Sequence, residues 1–185
     1  METMGLDQKV TWIGTGNVDT MLGSLKSKQV DVLVSSLSLL NESMEQGWGE
    51  LLFDGTDEPV WNKYIGGKVP VTAHFTLQST IDKDPAKMQA FVTALWRATQ
   101  WIKAHSPDEI YETIEPYVGS TSRDANIAEI ATIKKVADYD GLIDGAGFAR
   151  GEKVWFREMT GIKPLTIADV VVPQFIEAAK KAYPG

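Results

Sequence analysis

A chain of 185 residues with 43% hydrophobic residues is long enough to bury a core in one domain or in two small ones. Its net charge of −7 disfavours binding to nucleic acid or to anionic lipid, because like charges repel. The absence of cysteine excludes disulfides, thiolate catalysis and cysteine metal sites, and no apolar run is long enough to span a bilayer.

Strand-like and helix-like patterns alternate along the first third of the chain. Short apolar runs bounded by glycine, serine or aspartate predict three strands, at residues 10–13, 30–34 and 50–53. Between them, Asn17 is a favourable N-cap for a helix that continues to about Lys28, and residues 37–46 have helical spacing as well. This order predicts a parallel sheet with right-handed crossover connections.

A polar, glycine-containing connection at residues 61–69 leads to a last predicted strand, after which the chain changes character and becomes helical. Residues 71–79 alternate apolar with polar side chains, which predicts one further strand. The remainder has helical spacing and begins with a long amphipathic helix, which Asp84 caps and Pro85 starts. Capping residues and apolar spacing predict four more helices, which begin near Ser106, Ser122, Phe148 and Pro173.

Motifs of common catalytic and nucleotide-binding sites are missing from the sequence. It has no G-x-S-x-G elbow, no H-E-x-x-H motif and no P-loop, since the Gly-Gly-Lys segment at 66–68 lacks the earlier glycine. Two pairs of acidic residues, Asp54 with Asp57 and Asp138 with Asp140, stand in stretches that favour turns. We therefore expect no enzyme activity, no cofactor and no metal.

Three side chains after the first third are candidates for ligand contact or surface roles. His105 precedes a helix cap and is expected to be solvated. His74 lies on the polar side of its predicted strand, where a surface hydrogen bond, a ligand contact and a metal site all stay open. Trp61 lies in the connection between two segments of different character, so ligand contact is an alternative to packing.

Several segments along the chain carry a family resemblance. Residues 10–25 combine a strand, a glycine turn and a helix, residues 28–32 have the sequence KQVDV, and residues 47–54 have the sequence GWGELLFD. Residues 82–101, DKDPAKMQAFVTALWRATQW, match most closely, and residues 161–162 and 175–179 resemble the family's C-terminal end. Together they resemble the periplasmic solute-binding proteins of the nitrate, sulfonate, taurine and thiamine-precursor group of ABC importers.

The resemblance implies an α/β fold, the type II periplasmic-binding-protein clamshell of two lobes. Members of the family are longer than this chain, which would supply only the C-terminal part of each lobe. Residues 1–57 would form the C-terminal half of the second α/β lobe. Residues 58–185 would form the C-terminal half of the first lobe, with one strand followed mostly by helices. At 28–32, a lysine and a valine replace the usual glycine and alanine of the family.

The implied function is that of a periplasmic or otherwise extracytoplasmic protein that delivers a small polar or anionic organic molecule to the membrane subunits of an ABC importer. Sulfonates, nitrate, pyrimidines and carboxylates are the expected ligand types. Two alternatives stay open: a ligand-sensing regulatory domain on the same fold, and an enzyme similar to thiamine-pyrimidine synthases. The ligand would lie between the lobes, near helix starts that offer N–H groups. The expected ligand-binding residues are Thr15, Gly16, Asn17, Ser35, Ser36, Trp61 and His74.

The same resemblance bears on completeness. Residues 1–5 do not have the pattern of a signal peptide, so the targeting segment is expected to lie outside this chain. Strands at 30–34 and 71–77 without neighbours would leave backbone donors and acceptors unpaired. The 185 residues are therefore not expected to form a self-sufficient monomeric clamshell. The expected partner is the missing N-terminal half or a second copy of the chain.

Overall fold

The computed structural model describes residues 5, 9–35, 43–118, 122–155, 161, 163 and 165–184. The chain divides into two compact units, Met1–Phe53 and Asp54–Gly185. Regular structure in the described residues is helical, and none of them forms a strand. The α-helices named here are, in chain order, α1 (Val18–Lys26), α2 (Glu58–Ile65), α3 (Gln78–Lys83), α4 (Pro85–Ala104), α5 (Pro107–Ile114), α6 (Arg123–Val136), α7 (Gly145–Trp155), α8 (Ile167–Val170) and α9 (Gln174–Ala182), and a 3-10 helix at Glu115–Tyr117 follows α5.

The predicted α/β clamshell is wrong for this structure, because its four strands do not form. Residues 10–13, 30–34, 50–53 and 71–77 are neither helical nor paired in a sheet. A strand is stable only when a neighbouring strand binds its backbone groups, and no described segment takes that position. In residues 30–34 the half-buried side chains are Val30 and Leu33, while Val32 and Val34 are exposed. The two half-buried positions are three residues apart, whereas one face of a strand contains every second residue. The segment therefore does not present one face to a sheet.

Helix starts predicted from capping chemistry are confirmed. Asn17 accepts a hydrogen bond from Thr20 N at 3.0 Å and caps α1. Asp84 accepts one from Lys87 N at 2.9 Å, and Pro85 follows at the first position of α4. Ser106 and Glu109 form a complete capping box at the start of α5, and Ser122 caps α6. These interactions satisfy N–H groups that the first turn of a helix leaves without partners.

Other helices depart from the sequence-based assignment. Residues 58–65, expected to be a connection, form α2, which Asp57 caps through Val60 N at 3.0 Å and Gly66 ends with a φ of 88°. The predicted strand at 71–79 turns into α3 at Gln78, and α8 was not expected. The predicted helices from Phe148 and Pro173 correspond to α7 and α9, and residues 156–160 lie outside the described part. Of the helix predicted at 37–46, residues 43–45 are helical, and residues 37–42 lie outside the described part of the chain.

The first unit contains α1 and a tight turn that follows residues 43–45. The hydroxyl of Ser24, on α1, is nearly buried and donates to Met21 O at 2.7 Å. Ser43 is 2% exposed, and its carbonyl accepts hydrogen bonds from the backbone N–H groups of Trp48 and Gly49. A Cβ at Gly49 would lie 2.6 Å from the Ser43 hydroxyl, so only glycine fits there without movement. The buried side chains identified in this unit are therefore small and polar.

The second unit is organised by the 20-residue helix α4, which packs against α9. Trp96 is 7% exposed, and its indole N–H donates to Tyr183 O at 2.8 Å, just after α9. About two helical turns before Trp96, Gln89 Nε2 donates to Phe175 O at 2.9 Å. Ala179 on α9 is fully buried, which lets the two helices approach closely. Apolar packing and two side-chain hydrogen bonds thus fix α9 on α4.

The C-terminal end of α4 is held by a lysine from another helix. Lys134 on α6 donates hydrogen bonds to the carbonyl oxygens of Ile102 and His105, and to that of Lys103 at 3.3 Å. Those carbonyls have no partner within α4 and carry the negative end of its dipole, so an ammonium group stabilises them. The phenol of Tyr139 donates to Lys134 O at 3.0 Å and so supports the lysine backbone. Beside this contact α5 packs on α6, with Ile110 and Tyr111 buried.

Replacing Trp96 with alanine should lower the free energy of unfolding by about 3–5 kcal/mol, because a large buried side chain and its hydrogen bond are both lost. Tyr117 is 88% exposed, so Tyr117→Ala should change the same quantity by no more than about 0.5 kcal/mol. Urea denaturation monitored by far-ultraviolet circular dichroism measures both. Equal effects of the two substitutions would show that Trp96 is not in the core.

Replacing Lys134 with methionine should cost about 1–2 kcal/mol of stability, because the substitution removes the charged donor from the end of α4. The matched control is Lys135→Met, since Lys135 is exposed and makes no hydrogen bond to that helix end. Thermal or urea unfolding distinguishes the two variants. If they lose the same stability, net charge rather than the contact with α4 explains the effect.

Candidate functional site

The residues expected to bind a ligand fall in both units. Thr15, Gly16, Asn17 and Ser35 belong to the first unit, and Trp61 and His74 belong to the second. Ser36 lies outside the described residues, as does the helix start expected around it. Ser35 is half-buried and lies in an irregular segment. The grouping of all seven residues around one cleft therefore stays a prediction, and each unit is described by itself.

The turn before α1 is shaped by hydrogen bonds among its own residues. The Thr20 hydroxyl donates to Thr15 O and to Asn17 O, the latter at 2.8 Å, while Asn17 Oδ1 accepts from Thr20 N. Gly16 has a φ of 79°, and a Cβ there would lie 3.1 Å from the Thr20 hydroxyl. Both observations require glycine at position 16, because a side chain would be strained and crowded. The glycine turn predicted from the sequence thus has a defined conformation, which leads the chain into α1.

An open cleft of about 300 Å³ lies beside this turn in the first unit. Its lining includes three hydroxyl residues and a carboxamide in addition to backbone and aliphatic groups. The lining residues are Ile13, Gly14, Thr15, Thr20, Ser24, Gln29 and Val30. The first N–H groups of α1 precede the first intrahelical bond, from Met21 N to Asn17 O, and Thr20 is the residue of this first turn that lines the cleft. Such a cleft can hydrogen-bond a small polar or anionic group.

Trp61 has a structural partner in the second unit. Its indole N–H donates to Gly67 O at 2.8 Å, across the turn that ends α2. Gly67 has a φ of 128°, and a Cβ there would lie 3.0 Å from the guanidinium carbon of Arg150. Arg150 Nε also donates to Lys68 O at 2.9 Å. Gly66 and Gly67 therefore end α2 and allow Arg150 of α7 to approach the backbone. A phosphate-binding loop lies before a helix, whereas these two glycines follow one.

The two histidines have distinct surroundings. His74 is exposed, and its ring meets Phe91 of α4 edge to face with centroids 6.0 Å apart. His105 was expected to be solvated, but it is half-buried and stacks on Trp101 at 4.1 Å between ring centroids. Its Nδ1 lies 2.7 Å from Trp101 O, and a carbonyl only accepts, so Nδ1 carries a proton. Both rings thus contact aromatic side chains of α4.

The paired acids serve turns and helix starts. Asp54 accepts hydrogen bonds from the hydroxyl and backbone N–H of Thr56, which hold the pKa of Asp54 below its usual value. Asp57 caps α2, and Asp138 accepts from Asp140 N at 3.0 Å. Asp140 in turn pairs with Lys180 of α9. No group of three or more metal-binding side chains occurs in the part of the chain that the structure describes.

A second shallow cleft, of about 400 Å³, lies where α3 meets α4 and was not anticipated from the sequence. It is lined by Ser79, Thr80, Lys83, Asp84, Lys87 and Met88. Asp84 already accepts from Lys87 N as the cap of α4. The sequence signal that could have located this cleft is the pair Lys83 and Lys87, four residues apart, with the capping residue Asp84 between them. Two exposed lysines and two hydroxyl residues give it a polar rim.

Comparisons with known proteins do not assign the chain to a family. No protein-family profile matches it, and neither the curated proteins nor the solved structures contain a match. Among the described residues, no helix is both long and apolar enough to cross a membrane.

Asp144 provides a test of the hydrogen bond at the start of α7. It accepts from Gly147 N at 2.7 Å, and this bond is the main cause of a lowered Asp144 pKa, to which Arg150 and Lys68 add. A lowered pKa in the folded state means that the carboxylate stabilises the fold above its unfolded pKa of about 3.9 and loses this effect as pH falls through the folded value. Asp144→Asn keeps the acceptor, so the variant should lose less stability than wild type between about pH 5 and pH 2. Urea midpoints of wild type and variant across that range measure the difference. The same pH dependence in both proteins would show that the pKa of Asp144 is not lowered in the folded state.

Proposed function

We propose that this chain is the ligand-capturing part of an extracytoplasmic solute-binding protein, which delivers a small polar or anionic organic molecule to an ABC importer. The observation that carries the proposal is the cleft beside α1, which Gly14 of the glycine turn, two threonine residues and the carboxamide of Gln29 line together. Capture of this kind requires only polar groups placed for binding. The proposal does not depend on the clamshell arrangement, which this structure does not have.

The start of α1 has the electrostatic character that such a ligand needs. Backbone N–H groups at the first turn of a helix point outwards and carry a partial positive charge. A nitrate, sulfonate or carboxylate can accept hydrogen bonds there, and the hydroxyl of Thr15 can donate to the same group, whereas the Thr20 hydroxyl already donates to Thr15 O and Asn17 O. The net charge of −7 argues against a large polyanion but leaves a small ligand free to approach one local site.

Lys28 supports the resemblance on which the importer role rests. It has a φ of 59° and is the non-glycine residue with positive φ in the described part of the chain. In the solute-binding proteins that this chain resembles, glycine is usual at that position. A left-handed backbone is unfavourable for most residues with a side chain and favourable for glycine. The left-handed conformation of Lys28 is therefore consistent with the glycine that the family usually has at this position. The segment most similar to the family, residues 82–101, lies mainly in the well-capped helix α4.

Substitutions at Asn17 separate capping from ligand binding. Asn17→Asp should keep the cap and the stability but weaken binding of an anion at least about fivefold, since two like charges near a protein surface repel by about 1 kcal/mol or more. Asn17→Ala should lower the free energy of unfolding by about 1 kcal/mol through the lost cap. The control is Ser122→Ala, which removes the cap of α6 in the other unit and should leave affinity unchanged.

A thermal-shift screen against nitrate, small sulfonates, carboxylates and pyrimidines identifies the ligand class, and titration calorimetry then compares the variants. A ligand at a hundred times its Kd should stabilise the protein by about 2.7 kcal/mol. A ligand whose affinity is unchanged by Asn17→Asp would not bind at the start of α1. Absence of any shift across the panel would argue against solute capture by this chain.

A further inference from the structure

The segment Val71–Leu77 leads from the turn after α2 to the start of α3 without any backbone pairing. In the described residues, no hydrogen bond joins the backbone of residues 69–76 to another segment. The carbonyl of Leu77 is the first group that is used, by the N–H groups of Thr80 and Ile81. Consecutive unpaired N–H and C=O groups form an edge that another strand can bind.

The side chains of this segment give it two different faces. His74, on the polar row, touches Phe91 of α4. The other row is apolar and, like the rest of residues 71–77, exposed: Val71 is 69% exposed, Phe75 97% and Leu77 72%. Exposed apolar residues that alternate along one segment present a surface that a further strand would cover laterally.

We propose that Val71–Leu77 is an edge strand that pairs antiparallel with the same segment of a second copy of this chain. The sequence VTAHFTL is self-complementary in the register centred on His74. In that register Val71 lies opposite Leu77 of the second copy, Ala73 opposite Phe75, and Thr72 opposite Thr76. Every apolar side chain therefore gains an apolar neighbour, the threonines can hydrogen-bond across the pair, and about six to eight backbone hydrogen bonds form.

The charge pattern supports a second copy as the occupant. Residues 69–78 contain no aspartate, glutamate, lysine or arginine, although 23% of the whole chain is charged. Edge strands that are kept apart usually carry a lysine or another charge on the edge, and this one has only Pro70 before it. Two copies with a net charge of −7 each can thus meet here without bringing like charges into contact.

Light scattering coupled to size-exclusion chromatography tests whether the pairing exists. With the full chain, the mass should rise from 20.4 kDa towards twice that value as concentration is raised. A mass that stays at one chain over the whole accessible range would overturn the proposal, as would growth beyond two chains. Either result would leave the proposed ligand capture to its own test, because that site belongs to the other unit.

Paired substitutions test the register itself. In the double variant Thr72→Lys with Thr76→Lys, each lysine faces a lysine of the second copy, and dimerisation should fall at least about fivefold. In the matched variant Thr72→Glu with Thr76→Lys, each glutamate faces a lysine, and dimerisation should be kept or strengthened. Thr72 and Thr76 are exposed, so both variants are expected to fold, which far-ultraviolet circular dichroism checks. Equal dimerisation of the two variants would overturn the register.

Discussion

The packing of α4 on α9 is the contact on which the larger unit depends. Trp96 is a large, nearly buried side chain, and its indole N–H bonds the backbone just beyond α9. Most of the stability of a helix in a protein comes from packing of its apolar face, so this packing and the anchored ends keep α4 in place. Asp84 satisfies its N-terminus and Lys134 its C-terminus, and the latter contact also joins α6 to the core.

Apolar segments outside this helical core have no comparable support. Residues 30–34 and 71–77 contain valine, leucine and phenylalanine, which favour strands, yet they lie as irregular segments with several exposed side chains. The preference of such residues for β-structure expresses packing on a paired and half-covered surface rather than a property of the backbone alone. Where no described segment supplies the pairing, the preference has no structural effect.

Sequence reasoning located what local chemistry determines and failed where distant segments decide. The caps at Asn17, Asp84 and Ser106 were predictable because a cap and the N–H groups it binds lie within three residues. The strands were not, because pairing depends on a partner far along the chain. The candidate site divides in the same way: the glycine turn at residues 14–16 follows from its own residues, whereas the bond from Trp61 to Gly67 needed the structure.

Amide hydrogen exchange measured by NMR tests the helical account most directly, because it reports backbone pairing residue by residue. The account predicts that the slowest amides lie in the middle of α4, around Trp96, and in α9. It also predicts that residues 30–34 and 50–53 exchange at rates typical of unpaired backbone. Protection of residues 30–34 and 50–53 as strong as that of α4 would show a paired sheet in the first unit and would contradict the helical fold described for this chain.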